Sequence, residues 1–239
     1  MRSTRLPGKV IADLAGQPMV TRVVARARAA ERVDDVWVAC SDHQADEPLV
    51  SHCRAAGIAL FRGAEGDVLG RYLAAAAAAS AEVVVRLTAD CPLIDPQTIS
   101  AVVDALGRGG DAVDYASNVL ERTFPRGLDV EAFSIEALSR MDRLGRTASA
   151  REHVTLGPRV EHPQAFSSRQ VQAAVNDSDL RWTVDTAADL EHVRRIYREL
   201  DLARGIRPYR DVVRWCREHP KAARRDQPEQ TWDPRPRPS

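Results

Sequence analysis

The chain has 239 residues, 44% of them hydrophobic and 28% charged, which is enough for one large domain with its own core. Its 34 basic residues balance 34 acidic ones, and this argues against nucleic-acid binding, which relies on surplus positive charge. The sequence has no apolar run long enough to span a membrane, no secretory signal after Met1 and no C-x-x-C pair among four cysteines, so we expect a cytoplasmic protein without membrane attachment.

Strands and helices alternate along the first half of the chain. Apolar residues at helical spacing predict helices at 18–30, 46–56, 68–79 and 96–106. Short apolar runs predict buried strands at 35–40, 58–61 and 82–87. This alternation predicts an α/β fold with a Rossmann-like, mostly parallel sheet and helices on both faces.

The chain changes character after residue 113. Short β-like runs between 114 and 133 predict a small antiparallel excursion, such as a flap or a subunit contact. Further helices are predicted at 134–141 and 189–202. Pro, Arg, Gln and Asp dominate from residue 218 onward, so we expect one domain over 1–217 and a disordered tail over 218–239.

The N-terminal segment combines small residues with three cations. Gly8 allows backbone N–H groups to face a ligand, while Arg2, Arg5 and Lys9 supply positive charge, and a triphosphate needs both. The alternative is a merely basic, frayed N-terminus. The segment reads Arg2-Ser3-Thr4-Arg5-Leu6-Pro7-Gly8-Lys9.

An acidic residue follows the strand predicted at 82–87. Asp90 lies in a turn stiffened by Pro92 and Pro96, at the carboxyl end of a strand, where open α/β sheets bind ligands. The position indicates a metal ligand. Helix capping is the alternative for Asp90, although Asp95 is the better cap candidate.

A second acidic residue, Asp185, ends another short predicted strand. Thr186 and Asp189 predict a capping box for the helix that follows, which leaves Asp185 without a capping role. Mg²⁺ takes one or two carboxylates together with phosphate oxygens and water. Asp90 and Asp185 therefore form a candidate magnesium site.

Two more carboxylates, Asp129 and Glu131, fall on one side of an extended segment after Gly127. They are candidates for binding the hydroxyl groups of an acceptor. The alternative, which the pattern alone favours, is the solvent-facing side of a hairpin.

Taken together, these segments resemble the cytidylyltransferase family that includes the CMP-KDO and CMP-sialic acid synthetases. The resemblance is strongest to the branch named for spore coat polysaccharide biosynthesis protein F. It rests on the loop S-T-R-L-P-G-K at 3–9, G-x-x-x-D-V-L-x-R-Y at 63–72, R-L-T-x-D-C-P-L-I-D-P at 86–96, P-x-G-L-D-V-E at 125–131, R-E-H-V-T at 151–155 and T-V-D-T at 183–186.

The resemblance implies a fold of the nucleotide-diphospho-sugar transferase type. It also implies Mg²⁺-dependent transfer of CMP from CTP to a small acceptor, with release of pyrophosphate, in polysaccharide precursor synthesis. The acceptor would be a nulosonic acid or related sugar acid, a phosphate or a phosphonate, and a homodimer is expected. Whether CTP or another nucleoside triphosphate is the donor stays open.

The resemblance also assigns roles to individual residues. The loop 2–9 would wrap the triphosphate, with Arg5 and Lys9 neutralising its charge, and Asp90 and Asp185 would hold Mg²⁺. The acceptor side would be lined by Asp67, Arg71, Asp129, Glu131 and His153.

The chain departs from the family pattern at its start. The family has a strand before the loop, whereas Met1 stands inside the motif here, so we expect the first strand to be missing and the natural protein to begin upstream. Two alternatives remain: a glycosyltransferase of similar fold, although Asp90-Cys91-Pro92 lacks the second Asp of a D-x-D triplet, and a catalytically inactive nucleotide-binding relative.

Overall fold

The computed structural model describes residues 5–107 and 109–220. Within these ranges the α-helices are α1 (Met19–Arg28), α2 (Glu47–Ala55), α3 (Val68–Ala78), α4 (Pro96–Ala105), α5 (Ile135–Leu144), α6 (Ala148–His153), α7 (Ala187–Glu199) and α8 (Tyr209–Glu218). The strands are β1 (Asp13–Leu14), β2 (Gln17–Pro18), β3 (Trp37–Ser41), β4 (Ala59–Gly63), β5 (Val83–Arg86), β6 (Tyr115–Ser117), β7 (Glu131–Ser134) and β8 (Ser168–Gln170).

The strands β3 and β4 form a parallel pair. Their register runs from Trp37 opposite Ala59 to Ser41 opposite Gly63, and α2 is the crossover between them. Parallel neighbours need such a connection because a tight turn joins only antiparallel strands. The strand–helix–strand alternation predicted from the sequence is therefore confirmed here.

A second sheet has four strands in the order β5-β7-β6-β8. Its strand β7 runs antiparallel to both β5 and β6, whereas β6 and β8 are parallel. The antiparallel pairing expected between 114 and 133 is present, and it lies inside this sheet. In the register of β5 and β7, Arg86 stands opposite Glu131, which places a cation and a carboxylate side by side at the carboxyl end of β5.

Helix α1 joins the two sheets by side-chain packing. Within the described residues no strand pairing connects β3–β4 to the four-stranded sheet. Val20 and Val24 of α1 pack in the cluster around β3, α2 and β4, whereas Val23 and Ala27 pack in the cluster that contains α4. These four residues form one apolar face of the amphipathic helix, and its two edges serve two cores.

The remaining core consists of two further clusters, one packed on the larger sheet and one around Trp182. Helices α3 and α5 pack with Tyr115 and Phe133 of the sheet. Helices α7 and α8 pack around the fully buried Trp182, in the segment that leads to Asp185. None of the helices in ranges 5–107 and 109–220 is long and apolar enough to cross a membrane.

Two predicted helix caps are confirmed. Asp95 Oδ2 accepts hydrogen bonds from the backbone N–H and the hydroxyl of Thr98 at the start of α4. Thr186 and Asp189 form the expected capping box at the start of α7. Both caps satisfy backbone donors that a helix N-terminus leaves unpaired.

Several elements differ from the predictions. The segment before Asp185 forms no regular strand, because its backbone N–H groups donate to two separate residues, Arg126 and Asp90, and not to successive residues of one strand. The helices α6 and α8 and the strand β8 were not predicted. Residue 218, where the disordered tail was expected to begin, is the last residue of α8. Residues 221–239 lie outside the described ranges.

Candidate active site

Lys9 brings together the two carboxylates that the sequence singles out. Its ammonium nitrogen lies 2.9 Å from Asp90 Oδ2, 3.0 Å from Asp185 Oδ1 and 2.8 Å from the carbonyl oxygen of Val184. We call Lys9, Asp90 and Asp185 the lysine-bridged pair. The side chains of Asp90 and Asp185 are 25% and 16% exposed, so solvent reaches both.

Backbone contacts set the positions of the two carboxylates. The N–H of Val184 donates to the carbonyl oxygen of Asp90 at 2.9 Å, which holds the two segments side by side. Asp189 Oδ2 accepts from the N–H groups of Asp185 and Thr186, at 3.1 and 2.8 Å, so the helix cap also fixes the residue before it. The capping box therefore has a second effect, the orientation of Asp185.

Positive charge surrounds Asp185. Besides Lys9, Arg181 Nη2 lies 2.5 Å from Asp185 Oδ2 and Arg5 Nη2 lies 3.2 Å from Asp185 Oδ1. Burial by itself would raise the pKa of Asp185, but the hydrogen bond and charge of Lys9, with Arg5 and Arg181, lower it below its ordinary value. Asp185 is thus held as an anion.

Lys9 is held in its charged form by the same contacts. Burial opposes its charge, yet the charges and hydrogen bonds of Asp90 and Asp185 outweigh burial and raise the pKa of Lys9 above its ordinary value. The ammonium group is therefore a stable cation at physiological pH.

The loop predicted to wrap a triphosphate is described from Arg5 onward, and Arg2, Ser3 and Thr4 lie outside the described ranges. Gly8 has a φ of 71°, a left-handed conformation that glycine adopts without strain, and it precedes the 3-10 turn Lys9–Ile11. This turn aims Lys9 at the carboxylates. The side chain of Arg5 is 60% exposed and stands beside them. Phosphate binding by Leu6, Pro7 and the rest of the loop stays a prediction.

A second charged cluster lies at the boundary of β5 and β7. Glu131, with a side chain only 3% exposed, accepts hydrogen bonds at Oε1 from the hydroxyls of Tyr115 (2.7 Å) and Thr155 (2.6 Å), and it pairs through Oε2 with Arg86. We call these four residues the Glu131 cluster. Arg159 lies farther out, 3.8 Å from Oε1.

The Glu131 cluster keeps its carboxylate ionised despite burial. Burial would raise the pKa of Glu131, but Arg86, the two hydroxyls and Arg159 together lower it below its ordinary value. Arg86 and Thr155 were not predicted as partners of Glu131. Both residues lie in the sequence motifs given above. The contact of Arg86 with Glu131 follows from the register of β5 and β7, and that of Thr155 from the turn after α6.

The other residues predicted on the acceptor side have protein partners as well. Asp129 forms a two-bonded ion pair with Arg122, at 2.6 and 2.8 Å. Burial raises the pKa of the Cys91 thiol, and the charges of Asp90 and Asp129 raise it further.

Two of the three remaining candidates, Asp67 and Arg71, lie at the start of α3. Asp67 caps this helix through the N–H of Gly70 and pairs with Arg151 of α6 at 2.7 Å. Arg71 donates to the carbonyl oxygens of Ala64 and Glu65. His153 is the last residue of α6 and is half-buried. Acceptor binding by all five residues stays a prediction.

Gly127 fixes the chain next to the site. Arg126 exchanges backbone hydrogen bonds with Leu180 (3.0 Å) and Trp182 (2.7 Å), in the segment that continues to Asp185. Gly127 has a φ of 109°, and a Cβ there would lie 2.9 Å from the carbonyl carbon of Trp182 and 3.0 Å from the nitrogen of Thr183. The close approach of these two backbones requires glycine.

The family of the protein follows from comparison with known sequences. The sequence profile of the cytidylyltransferase family matches residues 1–205. The chain belongs to the cytidylyltransferase family. It is 31% identical over 206 residues to the spore coat polysaccharide biosynthesis protein SpsF of Bacillus subtilis, with 83% of each chain covered.

A second relative and a solved structure extend the comparison. The chain is 32% identical over 230 residues to the 3-deoxy-manno-octulosonate cytidylyltransferase of Anaeromyxobacter dehalogenans, covering 81% of this chain and 93% of that protein. The structure of a cytidylyltransferase from Leptospira borgpetersenii superposes with a TM-score of 0.85 and 28% identity, covering 95% and 94% of the two chains. The fold is thus of the nucleotide-diphospho-sugar transferase type.

Proposed function

We propose that the protein transfers CMP from CTP to a sugar-acid acceptor and releases pyrophosphate, with Mg²⁺ as the metal. The observation that carries this proposal is the lysine-bridged pair: Asp90 and Asp185, far apart in sequence, meet at one cation. A metal–triphosphate complex requires carboxylates that bind the metal and basic groups that bind the phosphates, and both are present here. Membership of the cytidylyltransferase family supports CTP as the donor.

The residues present suit a magnesium ion. Asp90 and Asp185 offer hard oxygen ligands, which Mg²⁺ prefers, and both are in contact with solvent. Within the described residues no group of three or more candidate metal ligands occurs, so phosphate oxygens and water would complete the coordination. When bound, the ion would neutralise phosphate charge and polarise the phosphoryl group.

The chain's own contribution is to position and neutralise the triphosphate. Arg5 stands beside Asp185 with most of its side chain exposed, where it would reach phosphate oxygens. Asp189 accepts a hydrogen bond from the backbone N–H of Asp185, so the backbone that carries this carboxylate is held in place. Transfers of this kind depend mainly on such positioning and charge neutralisation.

For the acceptor, we propose a nulosonic acid or a related sugar acid. The name of the Anaeromyxobacter relative, a 3-deoxy-manno-octulosonate cytidylyltransferase, supports this choice. Asp67, Arg71, Asp129, Glu131 and His153 are the proposed acceptor-side residues. Because protein donors occupy both oxygens of Glu131, its influence on an acceptor would pass through Arg86.

The test is pyrophosphate release in the presence of Mg²⁺. Each of the four nucleoside triphosphates is combined with a panel of nulosonic acids, sugar phosphates and phosphonates. We expect release with CTP and one class of acceptor. Release that prefers another triphosphate would contradict the donor assignment, and sugar transfer from a nucleotide sugar would favour a glycosyltransferase. A folded protein that releases no pyrophosphate with any pair would favour an inactive relative.

A further inference from the structure

The lysine-bridged pair leaves Lys9 no free hydrogen-bond donor. An ammonium group has three N–H donors. The three oxygens within 3.0 Å of it, from Asp90, Val184 and Asp185, account for all three. In this position Lys9 has no N–H to give to a phosphate.

The ammonium group of Lys9 also occupies the position between Asp90 and Asp185 at which the proposed metal ion would bind. Asp90 Oδ2 and Asp185 Oδ1 both point at its ammonium nitrogen. Mg²⁺ bonds to oxygen at about 2.0–2.1 Å, so an ion held by both oxygens would lie almost on top of that nitrogen. Two cations at such a separation repel each other strongly. A divalent ion and the ammonium group of Lys9 therefore exclude each other at this point.

We propose that Lys9 is an internal placeholder for the metal, which keeps divalent cations off Asp90 and Asp185 until a triphosphate draws the lysine away. This inference rests on the proposed placement of the metal at these two carboxylates. Every charge would keep a partner in this exchange, since the carboxylates would bind the metal and the ammonium group of Lys9 would bind phosphate oxygens. Metal and nucleotide then enter together, and the protein without nucleotide binds the metal weakly.

Direct metal binding without nucleotide tests the proposal. The probe is Mn²⁺ alone, titrated into the 239-residue chain, with free Mn²⁺ measured by electron paramagnetic resonance. We expect Lys9→Met to bind Mn²⁺ at least fivefold more tightly than the wild type. The same gain is expected for Lys9→Gln, which keeps hydrogen-bond donors and serves if the methionine variant fails to fold by circular dichroism.

Arg5→Gln is the matched control for a general charge effect. Arg5 also lies beside Asp185, at 3.2 Å, but its side chain is largely exposed and does not touch Asp90 in the described contacts. Its loss should tighten Mn²⁺ binding by less than the loss of Lys9 does. In the double variant Lys9→Met with Asp90→Asn, the gain should disappear.

The outcomes separate the two hypotheses. A gain below fivefold in the Lys9 variants, while Asp90→Asn weakens Mn²⁺ binding, overturns the placeholder and leaves the metal site intact. An equal gain in Arg5→Gln also overturns the placeholder. Mn²⁺ binding that ignores Asp90 in every variant overturns the metal placement and the placeholder with it.

Discussion

The lysine-bridged pair and the Glu131 cluster contain the same ingredients, carboxylates and cations, in opposite settings. Asp90 and Asp185 are in contact with solvent, and one flexible lysine holds them together. Glu131 is 3% exposed and is held by an arginine and two hydroxyls from three segments. Charge that solvent reaches is able to exchange partners, whereas charge that is buried and saturated is fixed in one arrangement.

Removing the buried carboxylate of Glu131 is the strongest test of this difference between the two clusters. Glu131→Ala should lower the free energy of unfolding by about 3–5 kcal/mol, because Arg86, whose side chain is only 22% exposed, would be left without its counter-charge. Urea denaturation measures this change. A loss below about 1 kcal/mol would show that the Glu131 cluster is no more structural than a surface pair.

Removing the charge of the solvent-accessible Asp90 should affect activity strongly and stability little. Asp90→Asn should reduce pyrophosphate release at least about 100-fold, since an amide would replace the charged ligand proposed for the metal. Its free energy of unfolding should change by no more than about 1 kcal/mol, because solvent still reaches the pair.

Asp104→Asn on α4 is the matched control for Asp90→Asn. Asp104 is a largely exposed carboxylate paired with Arg32 on the surface. The same chemical change there should leave both activity and stability unchanged. Near-normal turnover of Asp90→Asn would remove Asp90 from the site.

A single hydroxyl tests how saturated the Glu131 cluster is. Thr155→Val removes one donor to a buried charge and should cost about 1.5–3 kcal/mol in the free energy of unfolding. Tyr115→Phe removes the other hydroxyl donor and should cost a similar amount. Because both bonds end on the same oxygen, the double variant should not show the sum of the two costs. Strict additivity, measured by urea denaturation, would argue against a connected cluster.

The pH dependence of stability gives the smallest effect. The pKa of Glu131 is lower in the folded protein than in the unfolded chain, so the unfolded state binds more protons in acid. The stabilisation is complete above the unfolded pKa of about 4.3 and is lost as the pH falls through the folded pKa. Below pH 5 the unfolding free energy of the wild type should fall more steeply than that of Glu131→Gln, by at most about 1.4 kcal/mol per pH unit. Parallel curves would contradict this role.

Local patterns predicted much of the fold. Short apolar runs identified β3, β4 and β5, and helical spacing of apolar residues identified the helices between them. The direction of pairing left no such signature, since β3 and β4 are parallel whereas β5 is antiparallel to β7. Helix α8 was not predicted because its sequence is rich in arginine, although Tyr209, Val212 and Cys216 are buried at helical spacing. Helix α6 has only six residues, too few for a periodic signal.

The site shows where local reasoning ends. Asp90, Asp185 and Lys9 each stood out in the sequence, but their meeting depends on contacts between distant segments. Glu131 also stood out, as a residue on the acceptor side. Its partner Arg86 follows only from the register of β5 and β7, which no local pattern specifies.

The close approach at Gly127 has a consequence for which sequences this site tolerates. Gly127 carries no functional group, yet every other amino acid adds an atom that would meet the backbone of Trp182 and Thr183. The segment displaced would be the one that delivers Asp185. A survey of all single substitutions would therefore find position 127 as intolerant as the carboxylates, although it takes no part in the chemistry.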